Sequence, residues 1–118
     1  MDVIFKVLPE FSRRAKALAK KYKSFVKDYE KLLDSLSQNP CQGTELGQDV
    51  YKTRMAIVSK GKGKSSGARL LTYNIRKINP EKYIIVLMSI YDKSEMENVS
   101  DSYLKEIIKE AKKLDEPL

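Results

Sequence analysis

The chain has 118 residues, 42% of them hydrophobic and 33% charged, a composition that points to one folded domain over residues 1–118 and not to a disordered tail. Its net charge is +7 and its isoelectric point about 9.4, which directs it toward polyanionic partners such as RNA, DNA, an acidic protein segment or an anionic surface. Histidine is absent and Cys41 is the one cysteine, so Ser-His and Cys-His nucleophilic sites, an intrachain disulfide and an N/S zinc cluster are excluded.

The opening stretch carries Asp2 and no long apolar core, so no signal peptide is expected. Val3–Leu8 is a short apolar run stopped by Pro9 and reads as a strand. From Glu10 to about Ser37 the period is helical: Phe11, Ala15, Leu18 and Tyr22 form one stripe, and Phe25, Val26, Tyr29, Leu32, Leu33 and Leu36 continue a similar one. Ser24 is placed to cap a second helix, which predicts a helical hairpin. Its outer face carries Arg13, Arg14, Lys16, Lys20, Lys21, Lys23 and Lys27.

Residues 38–49 hold Asn39-Pro40, Gly43 and Gly47 and read as a loop, in which Cys41 is incidental. Val50–Ser59 alternates as a strand, with Tyr51, Thr53, Met55 and Ile57 on one side and Lys52, Arg54, Ala56 and Val58 on the other. The glycine-rich segment Lys60–Gly67 follows, then a strand over Ala68–Ile78, a turn at Asn79-Pro80, and a strand over Tyr83–Tyr91. The continuous apolar run in that last strand predicts a central, buried position, and at six residues (Tyr83–Met88) it is far short of the ~20 that a membrane helix needs. Ser100 caps a final helix whose stripe is Leu104, Ile107, Ile108, Ala111 and Leu114. The expected fold is α+β in the order β-α-α-β-β-β-α: a mainly antiparallel sheet, a helical hairpin packed on it, and a C-terminal helix.

Charge is unevenly spread. Residues 50–80 contain eight Lys or Arg and no Asp or Glu, whereas residues 92–118 contain five basic and eight acidic residues. A surface built for solubility mixes its signs, so the basic strand face of Lys52 and Arg54, with Arg69 across the hairpin, is a candidate phosphate-binding surface. Lys60, Lys62 and Lys64 make the glycine-rich segment similar to a phosphate-binding loop, but Val58 stands where a Walker motif needs glycine, and a strand follows where it needs a helix. That segment is either a solvated hairpin or a flexible cationic loop on an RNA backbone, with Arg76 and Lys77 extending the track. Tyr51, Tyr73, Tyr83 and Tyr91 are either core packing or bases' stacking partners.

The element order, together with Pro9-Glu-Phe11, Leu18-Ala-Lys-Lys-Tyr22, Asn39-Pro40, Leu46-Gly47, Tyr51-Lys-Thr-Arg54, the Lys60–Arg69 segment and Ile90-Tyr-Asp-Lys-Ser94, resembles the RelE/ParE superfamily of bacterial toxins, and within it the RelE- and HigB-like toxins of toxin–antitoxin pairs. The resemblance covers Val3 to about Leu114. It implies a cytoplasmic messenger-RNA endoribonuclease that acts on the ribosome without metal or cofactor and is silenced by a cognate antitoxin protein. It also implies that Lys52, Arg54, Arg69 and Lys93 are the site's basic residues. Val99 stands where RelE has a catalytic tyrosine, leaving Tyr91 and Tyr103 as the nearest candidates, and the histidines of some HigB proteins have no counterpart. Metal-free cleavage needs a base for the 2′-hydroxyl, an acid for the 5′-oxygen, and positive charge around the phosphorane. Crowding among cations, or burial, lowers a lysine's pKa and leaves more of it in the neutral form that can accept a proton, so Lys52 is the candidate base, Arg69 the phosphate clamp, and Lys93 or Tyr91 the acid. ParE-like members of the same superfamily poison DNA gyrase by binding; that reading, and a non-catalytic RNA-binding module, remain the alternatives.

Overall fold

The computed structural model describes residues 2–61, 63, 66–77, 82–96 and 98–115. Strand β1 (Asp2–Val7) leads into helix α1 (Pro9–Lys21), which starts with proline at its first position, where the missing N–H costs nothing. Helix α2 (Phe25–Gln38) completes the hairpin. Ser24 does not cap it: its backbone is already helical (φ −88°, ψ −3°), whereas a cap needs extended dihedrals. Its hydroxyl instead donates to Asp28 (2.7 Å) and accepts from the Ser59 N–H (2.9 Å), latching α2 onto the 3₁₀ turn Val58–Lys60.

Four further strands follow: β2 (Thr44–Gly47), β3 (Val50–Met55), β4 (Ala68–Lys77) and β5 (Lys82–Asp92). Helix α3 (Asp101–Lys112) closes the described chain, with Ser100 accepting from the Tyr103 N–H at 3.1 Å as a true N-cap. The fold is therefore α+β, with the sheet order β1-β5-β4-β3-β2. β2 corrects the expectation of a loop over residues 38–49: all four of its residues are exposed and it ends in a tight turn, Gln48 and Asp49 both at positive φ, so no buried face imposes an alternation. The sheet is mainly antiparallel but mixed: three described pairings are antiparallel, and β1 pairs with β5 in parallel. The turn expected at Asn79-Pro80 lies outside the described residues.

The sheet is covered on both faces. Phe11, Leu18, Phe25 and Leu36 of the helical hairpin pack on Met55, Leu70, Ile85 and Ile90. On the other face Ile107 and Ala111 of α3 pack against Val50, Leu71, Val86 and Met88. β5 lies between β1 and β4 and is buried from Ile84 to Asp92, in keeping with its unbroken apolar sequence. Its pairing with β4 runs Leu71 to Ser89 and then Thr72 to Leu87, so Met88 is an extra residue. This bulge resets the alternation, and Tyr91 joins Val86 on the α3 face while Ile90 joins Leu87 on the hairpin face. Among the described residues no helix is long and apolar enough to cross a membrane.

A buried carboxylate ties the end of β5 to the rest. Asp92, with no exposed side-chain surface, accepts from the Tyr22 hydroxyl, Lys60 Nζ (2.9 Å), and the Ser94 N–H and hydroxyl (2.9 and 2.7 Å). Burial alone would raise its pKa; the bonds from Tyr22, Lys60 and Ser94 outweigh that and hold it well below the usual carboxylate range. Lys60 also donates to the Ser66 carbonyl (2.7 Å), so one ion pair fastens α1 and both ends of the glycine-rich segment to the sheet. Removing one partner of a buried pair strands the other. Asp92→Asn is therefore expected to lose about 3 kcal/mol of stability at pH 7 in urea unfolding. Because the folded pKa is depressed, the stabilisation is present above the unfolded value of about 3.9 and fades as pH falls below it. The gap between wild type and variant should close over that range; a gap constant to pH 2 would contradict the ion-pair assignment.

Candidate functional site

The parity of β3 sends Lys52 and Arg54 to the same face as Val50, which packs toward α3, while Thr53 and Met55 turn toward the hairpin. α3 covers only part of that face. Beyond it lies an open cleft of about 290 Å³, lined by Lys52, Arg54, Arg69 and Lys93. The neutral side chains at its rims are Thr44 and Leu46 of β2, and Asn98 between β5 and α3. No carboxylate lines it among the described residues.

Strand register sets the spacing. Arg54 stands directly opposite Arg69, and Arg69 directly opposite Tyr91, so the three form a row across β3, β4 and β5. Lys52 lies one same-face step along β3. Lys93 is fixed by its backbone N–H, which donates to the Gly67 carbonyl at 3.0 Å. Gly67 cannot carry a side chain there: a Cβ would come within 2.1 Å of the Met55 carbonyl oxygen. This glycine lets the start of β4 close against the end of β3, which brings Arg69 and Lys93 to the same cleft.

Arg69, which the sequence places across the hairpin from Lys52 and Arg54, is buried, 4% exposed, and donates to the Ala68 carbonyl at 3.1 Å. Burial and the like charge of Arg54 both lower its pKa, with Tyr91 acting in the opposite sense. Cations directly opposite on neighbouring strands repel, and four around one carboxylate-free cleft focus a positive potential on it. A guanidinium also presents paired donors that match the oxygens of a phosphate. Tyr91 does not line the cleft. It sits behind Arg69, 2% exposed, and its hydroxyl has no hydrogen-bond partner among the described residues. Burial raises its pKa, and Arg69 partly offsets the rise.

The other candidates lie elsewhere. Lys60 is held by Asp92 and is not a cleft residue; the partner that fixes it is 32 positions away in sequence. Lys62 and Lys64 lie outside the described residues. Arg76 and Lys77 are at the opposite end of β4, roughly 23 Å from Arg69 at ~3.3 Å per residue. There Arg76 stacks over the Tyr83 ring (5.9 Å) and Lys77 pairs with Asp115 (2.5 Å). Tyr103 is a bracket: its hydroxyl meets Ser89 (2.5 Å) and donates to Glu10 (2.7 Å), joining the first turns of α3 and α1. Burial would raise the Glu10 pKa, but bonds from Arg14, Tyr103 and Arg13 bring it down to about 2. On the helical face Arg13 and Arg14 engage Glu10, and Lys21 engages Glu95 at 2.7 Å, while Lys16, Lys20, Lys23 and Lys27 are exposed. No three metal-ligating side chains converge among the described residues.

Sequence reasoning missed Thr44, Leu46 and Asn98. The usable signal for the first two was Thr44-x-Leu46 ahead of a glycine turn and a clear strand. No protein-family model matches this chain, and no curated protein matches it. The fold and cleft define a class by themselves: an α+β domain with a cation-lined cleft on the part of its sheet that α3 leaves open.

Repulsion between Arg54 and Arg69 is directly measurable. Arg54→Ala should remain folded and, at low salt, be as stable as wild type or up to about 1 kcal/mol more so. Added sulfate should raise the melting temperature of wild type more than that of the variant. Equal responses would show that the row does not act as an anion site.

Proposed function

We infer that this protein is a RelE/HigB-like toxin of the RelE/ParE superfamily, an endoribonuclease that cuts messenger RNA on the ribosome and is held in check by an antitoxin protein in the cytoplasm. One observation carries the reading. Lys52, Arg54, Arg69 and Lys93, the four basic positions singled out by the resemblance, come from two strands and the segment that follows a third, yet line one cleft.

In the proposed reaction the 2′-oxygen attacks the adjacent phosphorus and the bond to the 5′-oxygen breaks, leaving a 2′,3′-cyclic phosphate and a 5′-hydroxyl. Lys52 takes the 2′-hydroxyl proton. Arg54 and Arg69 face the equatorial oxygens, where negative charge grows in the phosphorane. Lys93 returns a proton to the departing 5′-oxygen; it lines the cleft, which favours it over Tyr91 for this role. Tyr91, with its raised pKa, keeps a neutral phenol behind Arg69. No step calls for a metal ion. The ribosome supplies orientation, which can account for several kcal/mol of the barrier.

Lys52→Ala and Arg54→Ala should each reduce cleavage of ribosome-bound message by ~10²–10³-fold, with melting temperatures confirming folded protein. Lys16→Ala on the exposed helical face is the control and should cut normally. If the Lys52/Arg54 double variant cuts at the wild-type rate, the site is wrong. If induced cells lose DNA synthesis before protein synthesis, the gyrase reading replaces this one.

The same four cations set the salt dependence. Each phosphate neutralised on a single strand contributes about 0.7 to the log–log slope, so RNA affinity should fall with a slope of roughly 3. Affinity indifferent to salt between 50 and 200 mM, roughly the range over which such contacts weaken, would remove the electrostatic basis.

A further inference from the structure

The ribonuclease reading assigns work to the cations and leaves the rest of the cleft unexplained. Its neutral residues are not scattered. In the sheet order, Thr44 and Leu46 belong to the edge strand β2, beyond Lys52 and Arg54 of β3. Asn98 belongs to the segment after β5, beyond Arg69 of β4. The cleft therefore runs from a neutral rim, across a cationic floor, to a far rim in the segment after β5, where Asn98 is the neutral side chain and Lys93 the charged one. Strands β2 to β5 are three intervals apart, about 14 Å at ~4.8 Å each. That span suits one phosphodiester over the floor with a base on either side.

The two rims differ in chemistry. Leu46 is 40% exposed, an apolar side chain beside a cluster of charge. The β2–β3 register passes from Glu45–Tyr51 to Gly47–Val50, so Leu46 is the unpaired residue of a bulge, a device that re-aims a side chain. Thr44 sits directly opposite Lys52 and puts a hydroxyl beside it. Asn98 is exposed and carries a carboxamide, a donor and an acceptor in one plane that match a base edge presenting the reverse. Single-stranded RNA is read in this way, by flat packing on one base and hydrogen bonds to another's edge.

Resting on the ribonuclease reading, we propose that Asn98 and Leu46 are specificity-determining residues: Asn98 reads the edge of the base on one side of the scissile phosphate, and Leu46 is the platform for the base on the other. The cations act on every phosphate alike, so sequence preference enters through the rims.

The test is cleavage of a ribosome-bound message with randomised codons, with the new 5′ ends sequenced, using the full chain. Asn98→Leu keeps the size and removes the donor and acceptor; Leu46→Ser removes the platform. Both positions are exposed, and melting temperature confirms the fold. Asn98→Leu should reduce discrimination about ten- to hundredfold at one nucleotide flanking the cut, and Leu46→Ser should shift preference at the other. If both variants cut at wild-type sites with wild-type frequencies while Lys52→Ala has lost activity, the base-reading assignment falls and the ribonuclease reading stands. If the wild-type protein cuts no message, both fall together.

Discussion

Arg54 and Arg69 face each other across β3 and β4, although like charges in that position repel. They are kept there by what lies beneath. Met55 and Leu70 point from the same two strands, and Ile90 from β5, into the helical hairpin. A slip of one residue in either strand would send those side chains into the cleft and the arginines into the core. Gly67 reinforces the register from the end, because its closeness to the Met55 carbonyl fits only one alignment. Burial of several apolar side chains, at about 1.5–3 kcal/mol each, outweighs a cross-strand repulsion of about 1 kcal/mol. The core thus holds a charge arrangement that the charges themselves would not choose.

The carboxylates are distributed to match. Glu10 engages Arg13 and Arg14, Asp92 engages Lys60, Glu95 engages Lys21, and Asp115 engages Lys77. The Glu10 pairs lie within the first turns of α1, and the other three join distant parts of the chain. The +7 excess is therefore more than a diffuse property of the surface. Basic residues that bind the fold together have acidic partners, and those of the cleft share a wall with Thr44, Leu46 and Asn98.

The sequence displayed what depends on periodicity and hid what depends on distant partners. Alternation in β3 placed Lys52 and Arg54 together, Pro9 marked the end of β1, Ser100 the start of α3, and the apolar run of β5 its buried position. β2 was hidden because an exposed edge strand of four residues has no buried face to print a pattern. The parallel β1–β5 edge was hidden because direction of pairing leaves no local mark. At the site, parity and a hairpin were enough to gather Arg69 with β3, but not to show that its side chain is buried. Lys60 and Tyr103 looked like free polar groups; Asp92 and Glu10, which hold them, are 32 and 93 positions away.

The pairing of β1 with β5 also joins parts of the chain that are far apart in sequence. Asp2 lies beside Lys82 and Val7 beside Leu87, a separation of 80 positions at both ends of the ladder (82 − 2 and 87 − 7). β2 with β3, and β4 with β5, are joined by short connections, so their ladders close over little chain. β1 and the two helices behind it come first in sequence yet have no sheet to complete until β5 exists. Such non-local closure is the slow part of folding. The same late strand leads to Lys93, so the last cation reaches the cleft with the strand that lets the first residues dock. A chain still short of β5 has the arginine of β3 but neither its fourth cation nor its parallel edge.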